Sequence, residues 1–246
     1  MSNKRVDIHN SNIPQVCVAC EARHHGVCGT LTPAQLTKLS QTTNKHIYSP
    51  DEEMVPAGGE ISHYSNILSG VVKLTRLMAD GRQQIVGLQF APDFLGRPFR
   101  ASSDISAEAA TEVRVCAFPK STLEELVNEA PELEHKLHEQ ALKELDEARE
   151  WILTLGRKTA TEKVASFLYL IATHIDPERS LDTAPMRFEL PLKRADIADF
   201  LGLTIETVSR QITKLRKSGI IELEGTRIVI VPSIAALRRA SASDSF

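Results

Sequence analysis

The sequence predicts an α+β fold: an antiparallel β-domain, then a long helix with an apolar seam, then a C-terminal winged helix-turn-helix. Three observations predict it. Between His46 and Phe118, short runs rich in Val, Ile, Leu and Phe are punctuated by Ala57-Gly-Gly, Ser69-Gly and Ala79-Asp-Gly. From Pro131 to about Arg157, apolar residues recur every three or four positions among Glu, Lys, Asp and Arg. Leu192–Ile221 then carries two helical patterns on either side of Gly202, followed by two β-like runs.

Taken in order, Met1–Gly29 is polar and reads as loop. A short helix follows, with Thr32 as N-cap, Pro33 at the first helical position, and Leu36 and Leu39 on one face. Ser65–Leu68, Val71–Leu77, Gln84–Phe90 and Glu112–Phe118 read as strands. Asp80-Gly81 between two of them marks a hairpin, because both residue types tolerate positive φ. Pro119 begins a helical stretch whose first helix starts at Ser121-Thr-Leu-Glu-Glu, and Pro131 begins the longer one. Along the longer helix, Leu137, Ala141, Leu145, Ala148, Ile152 and Leu155 form a narrow seam suited to pairing two helices. The same spacing also fits a helix packed on its own domain. Glu147 and Glu150 flank Ala148, so their repulsion across a dimer is expected to hold unligated protein apart. Thr161–His174 reads as an amphipathic helix with Val164, Phe167, Leu168 and Ile171 inward, and Asp176–Pro185 as a polar loop. The domain reading is a cysteine-rich arm at 1–30, a β-domain at 31–118 and helical connectors at 119–157. A DNA-binding domain at 158–240 and a frayed tail at 241–246 complete it.

Bulk properties exclude some classes of protein. No stretch approaches the roughly 18 apolar residues a membrane span requires, and the first twenty residues lack the apolar core of a secretion signal. A cytoplasmic, membrane-free protein is expected, and there cysteines serve as metal ligands or reactive thiols more often than as disulfides. The net charge of -3 is unevenly spread. Met186–Phe246 holds ten basic and seven acidic residues, which leaves -6 on the rest. A basic C-terminal part suits nucleic acid. No P-loop, dinucleotide fingerprint or nucleophile motif points to an enzyme.

Two constellations carry chemistry. Cys17, Cys20 and Cys28 stand in C-V-A-C-E-A-R-H-H-G-V-C, and Cys116 is the fourth and last cysteine. Such thiols could hold an iron–sulfur centre or structural zinc, both of which favour four sulfur ligands. They could also form a redox disulfide between Cys17 and Cys20; an iron–sulfur redox enzyme is a further alternative. His24 and His25 lie inside the loop and read as solvated. In Leu192–Ile221, Thr204 is placed to cap the second helix. With Val208, Ile212 and Leu215 inward, Glu206, Ser209 and Arg210 face double-stranded DNA, where Arg210 can grip guanine and Glu206 can accept from cytosine. Thr213, Lys214, Arg216 and Lys217 are placed for phosphates. Ile220–Leu223 and Arg227–Val231 around Glu224-Gly225-Thr226 read as the wing.

With E-T-V-S-R at Glu206–Arg210 and this cysteine set, the chain resembles the CRP/FNR regulators, and specifically their oxygen-responsive iron–sulfur FNR branch. The resemblance covers nearly the whole chain and implies a cyclic-nucleotide-binding-like β-roll, a long dimerisation helix and a homodimer. It implies that Cys17, Cys20, Cys28 and Cys116 hold a 4Fe–4S cluster, converted by oxygen to 2Fe–2S with loss of dimer and DNA affinity. It implies that Glu206, Ser209 and Arg210 read a TTGAT-N4-ATCAA-like palindrome, and that the hairpin around Asp80-Gly81 can meet RNA polymerase. The chain departs from the best-known FNR spacing in having seven residues rather than five between its second and third cysteines. It also lacks the Gly-Glu-Leu segment and Arg-Ser/Thr pair that cradle a cyclic nucleotide: Ala91-Pro-Asp-Phe-Leu-Gly-Arg-Pro-Phe stands there instead. Arg97 alone makes no cradle, so no cyclic nucleotide is expected.

Overall fold

The structure is a computed structural model that describes residues 13–18, 20–175 and 185–242. Residues 1–12 and 19 of the expected arm, 176–184 of the expected Asp176–Pro185 loop and the last four residues of the expected tail lie outside the described residues. The chain divides into two compact units, residues 1–76 with 88–145, and residues 77–87 with 146–246.

The first unit is a two-sheet roll with helices on one outer face. The region expected to be loop holds short helical turns, α1 (Gln15–Val18), α2 (Glu21–His24) and a 3-10 turn at Val27–Thr30, before α3 (Pro33–Gln41). Thr32 caps α3 in a reciprocal box with Gln35, as the Thr-Pro start predicts. The strands follow as β1 (Asn44–Tyr48), β2 (Glu53–Val55), β3 (His63–Ser69), β4 (Val71–Leu77), β5 (Gln83–Phe90), β6 (Phe94–Leu95), β7 (Ser106–Ala109) and β8 (Val113–Pro119). They pair in the orders β1-β8-β3-β6 and β2-β7-β4-β5. Sequence patterning missed β1 because nearly every residue of it is exposed, so no apolar alternation marks it. Gly70 turns β3 into β4 at φ 93°, and a side chain there would strike the Glu112 carbonyl.

Strand β8 separates two cores. Val113 and Val115 face the roll interior with Ile67, Val72, Ala107 and Ala109. Phe118, one pleat over, faces outward with Tyr64 into a second core, closed by Val27, Cys28 and Leu31 of the arm and by Leu36 and Leu39. Helix α4 (Lys120–Glu129) and the start of α5 (Pro131–Arg157) complete that cover through Leu123, Leu126 and Leu133. Each fully buried side chain of this size contributes roughly 1.5–3 kcal/mol of transfer free energy, which is what docks an otherwise polar arm.

Helix α5 corrects part of the seam. Leu137 packs against its own unit's outer core, and Leu155 is half-buried. Ala141, Leu145, Ala148 and Ile152 are exposed, and they are joined by Leu142 and Leu153, which the seam pattern omitted. Ile152 is 70% exposed. Glu150 does not belong there: at about 100° per residue it lies on the side of the helix opposite Ile152. Its carboxylate meets the Lys158 ammonium at 3.4 Å. The repulsion assigned to it is withdrawn.

The second unit contains α6 (Ala160–His174), β9 (Met186–Glu189), α7 (Arg194–Leu201), α8 (Ile205–Lys217), β10 (Glu222–Glu224), β11 (Ile228–Val231) and α9 (Ile234–Ala240). The wing is a three-stranded sheet, β10-β11-β9. Four residues of alternation in β9, with Met186 and Phe188 buried, were too few to signal it. Ser241, expected in a frayed tail, is buried, and its backbone N–H donates to the Leu237 carbonyl at 3.0 Å. The β4–β5 hairpin forms as expected, but only Gly81 takes positive φ (84°). Asp80 instead accepts from the backbone N–H and Nε of Arg82 at 3.1 and 2.9 Å.

Candidate thiol site and nucleic-acid interface

The outer face of the sheet gathers the cysteines. Cys116 sits mid-strand on β8, flanked in register by Lys45 of β1 on one side and Asn66 of β3 on the other. Directly opposed residues share a face, and this is the face the arm covers. All four cysteines are free thiols. They lie close enough to act on one another electrostatically. Burial, and then Cys116 and Cys20, push the Cys28 thiol up to about 12. Burial, and then Cys20 and Cys17, push Cys116 up to about 12. Cys17 is raised by burial and Cys20, against the opposing pull of Arg23 and Lys45. Burial beside other sulfurs disfavours the thiolates of Cys17, Cys28 and Cys116 unless a cation joins them, because a metal ion inverts that logic.

Among the described residues, no three His, Cys, Asp or Glu side chains are grouped to hold one metal ion. The donor set, four thiols and no carboxylate, is one that an iron–sulfur centre or structural zinc would take. His24 and His25 are exposed, as expected.

Two polar side chains at the site escaped sequence reading. Asn66, 1% exposed, donates from Nδ2 to the Cys28 sulfur at 3.2 Å. Thr43 lies beside Cys116, but its hydroxyl donates to the Leu39 carbonyl at 2.7 Å. A hydroxyl has one proton, so Cys116 receives no second donation from it. An amide at an inward position between Ser65 and Ile67 was the available signal, unreadable without knowing which face the arm covers.

At the other end, Gly202 closes α7 in the left-handed conformation (φ 61°), and Thr204 caps α8 by accepting from the Thr207 N–H. Val208, Ile212 and Leu215 are buried, and so is Gln211, whose Oε1 accepts from Thr161 at 2.8 Å. This leaves Glu206, Ser209 and Arg210 exposed, with Thr213 half-exposed. Ser209, Arg210, Thr213, Lys214 and Lys217 line one shallow concavity. Lys214 also donates to Thr161 at 3.2 Å, which leaves two of its three donors for other partners. Arg216 is exposed but turned well off the face of Glu206 and Arg210. Its own backbone N–H at the start of α8, and then the Thr204 hydroxyl, hold the Glu206 carboxyl below its ordinary range, so it is an acceptor near neutrality. A second groove beside the wing brings in Lys193, Arg194 and Arg227, basic residues outside the expected set, together with Thr226.

Residues 162–240 match the Crp-like helix-turn-helix domain, and residues 45–130 match the cyclic nucleotide-binding domain. A probable transcriptional activator of Rhizobium leguminosarum bv. viciae is 54% identical over 97% of this chain and 98% of its own. The chain belongs to the CRP/FNR family of transcription regulators. Within it, the transcriptional activator protein FnrL of Cereibacter sphaeroides is 41% identical over 93% of each chain, which supports the FNR branch. The solved structure of FixK2 from Bradyrhizobium japonicum superposes with a TM-score of 0.73 at 30% identity, covering 82% of this chain and 99% of that one. This CRP/FNR protein is a DNA-binding regulator, not an enzyme. Among its described residues, no helix is long and apolar enough to cross a membrane.

Proposed function

We propose that this regulator is an oxygen-responsive switch, active without oxygen, in which a 4Fe–4S cluster on Cys17, Cys20, Cys28 and Cys116 governs dimerisation and DNA binding. The observation that carries the reading is the meeting of three arm thiols with Cys116 on the one sheet face that the arm covers. When bound, the cluster supplies a cationic, oxygen-labile cross-link between arm and strand. The protein residues do the rest. Buried Val27 and Leu31 hold the arm against Tyr64 and Phe118, and the exposed Leu142, Leu145, Ile152 and Leu153 of α5 offer a face to a second copy. Two α8 helices then meet successive major grooves of a TTGAT-N4-ATCAA-like palindrome. Glu206, Ser209 and Arg210 read bases, while Thr213, Lys214, Arg216 and Lys217 meet phosphates.

No cyclic nucleotide is part of the reading. The cavity of about 130 Å³ in the roll is lined by Glu144 as well as Arg97, and a carboxylate there opposes a phosphate. RNA polymerase is proposed to meet the β4–β5 hairpin, where Leu77 and Met78 are 66% and 49% exposed.

The test is the visible spectrum of protein purified without oxygen, read with iron, sulfide and zinc content and then during admission of air. A broad iron–sulfur absorption that changes shape in air, together with falling affinity for the palindrome, is expected. Colourless protein carrying stoichiometric zinc, or no metal and an oxidised Cys17–Cys20 pair, would overturn the switch and leave the DNA reader. In sedimentation, Ile152→Asp is expected to stay monomeric under conditions where the wild type pairs.

A further inference from the structure

We infer that Asn66 is a positioning residue for the cluster, its amide fixing and tuning the Cys28 sulfur. The assignment rests on the iron–sulfur reading above and goes beyond the four ligands. Asn66 occupies the second core among Tyr64, Phe94 and Phe118, where a side chain has almost no access to water. An amide is costly in such a place, and an aliphatic residue would fill it as well. Its Nδ2 meets one sulfur at 3.2 Å. Its Oδ1 is buried and has no partner among the described residues. The polar contact made by the amide is therefore with the ligand.

Topology explains why this position suits the task. Asn66 stands opposite Cys116 in the ladder, so one strand residue reaches both the rigid ligand's neighbourhood and the arm's most buried thiol. It links Cys28, carried by a short 3-10 turn, to the sheet. Hydrogen bonds to cluster sulfurs are among the factors that set reduction potential and lability. An N–H donor withdraws charge from the sulfur and favours the more reduced, more electron-rich state.

The experiment compares full-length wild type with Asn66→Ala, Asn66→Asp and Asn66→Ser, each loaded without oxygen and checked for fold by circular dichroism. Asp keeps the shape but replaces the N–H with an acidic group whose charge lowers the potential by itself; Ser is smaller but keeps a donor; Ala separates loss of the donor from added charge. Three quantities are read: iron content, the midpoint potential, and the rate at which iron passes to a ferrous chelator. Ala and Asp are expected to release iron several-fold faster and to move the potential down, with Ser nearer the wild type. If Ala fails to fold, Asn66→Leu, apolar and without a donor or a charge, carries the same test against Ser. Iron-loaded wild type with Ala and Asp indistinguishable from it overturns the assignment alone. So does Ser failing as badly as Ala, which marks a packing role. Wild type that takes up no iron overturns the cluster reading and the assignment with it.

Discussion

The recognition helix and the thiol site are built in opposite ways. Helix α8 is thirteen consecutive residues, and one periodicity decides both its faces: Val208, Ile212 and Leu215 go inward, so Glu206 and Arg210 must go out. Its working groups are exposed and charged as they stand. The thiol site draws three thiols from the arm and one from a strand, and burial with mutual repulsion opposes ionisation at Cys17, Cys28 and Cys116. The contrast teaches that a surface of exposed groups is ready as it stands, while a cluster of mutually repelling groups is conditional. Where folding energy and metal binding are linked, the proposed switch falls to the second.

The bluntest way to break the contrast is to remove one ligand. Cys116→Ser is expected to abolish iron binding completely while leaving the unfolding transition of the C-terminal unit in place. Iron assay and calorimetry read the two separately, and a joint collapse would mean the regions are not independent. The converse is Val208→Asp, which puts an unpaired charge at a fully buried position and costs several kcal/mol. DNA binding should vanish with thiol-bound iron retained. A finer cut separates the reader's own residues. By fluorescence anisotropy, Arg210→Ala should lose about 1–3 kcal/mol of discrimination between the palindrome and a scrambled duplex. Lys217→Ala should weaken both alike and reduce the salt slope by about 1.

The smallest effect concerns the cap of α6. Thr159 accepts from the Glu162 N–H, and the Glu162 carboxylate accepts from both the backbone N–H and the hydroxyl of Thr159. Those bonds hold the Glu162 carboxyl below its ordinary range. A depressed carboxyl stabilises the fold above its unfolded value, and that contribution fades as pH falls through the lower folded value. Acid titration of Glu162→Gln should therefore lack this loss below about pH 4, and Thr159→Ala should cost about 1 kcal/mol. An unchanged acid limb in Glu162→Gln would remove the cap from the account.

Legibility in the sequence follows the same division. The α3 cap, the Val71–Leu77 strand, the extent of α5 and the two faces of α8 were all readable, because each is set by residues close together in the chain. The arm's helical turns were not, since Gln15–Val18 and Glu21–His24 are too short to show a period. Strand β1 was silent because solvent reaches both of its faces. Leu137 and Leu142 traded places across the seam because spacing alone does not say which side of a helix its own unit covers. Asn66 was hidden for the same reason: its meaning depends on Cys28, thirty-eight positions earlier.

Strand β8 has one further consequence. Its odd and even positions answer to different neighbours, Val113 and Val115 to the roll and Cys116 and Phe118 to the arm. Substitutions on the even face can therefore remake the arm-facing site while the odd face keeps the roll intact. An insertion of a single residue would do the reverse, swapping the two sets at once. Descent within such a lineage should be tolerant of altered ligands and of lengthened arms, and intolerant of any change in the strand's count.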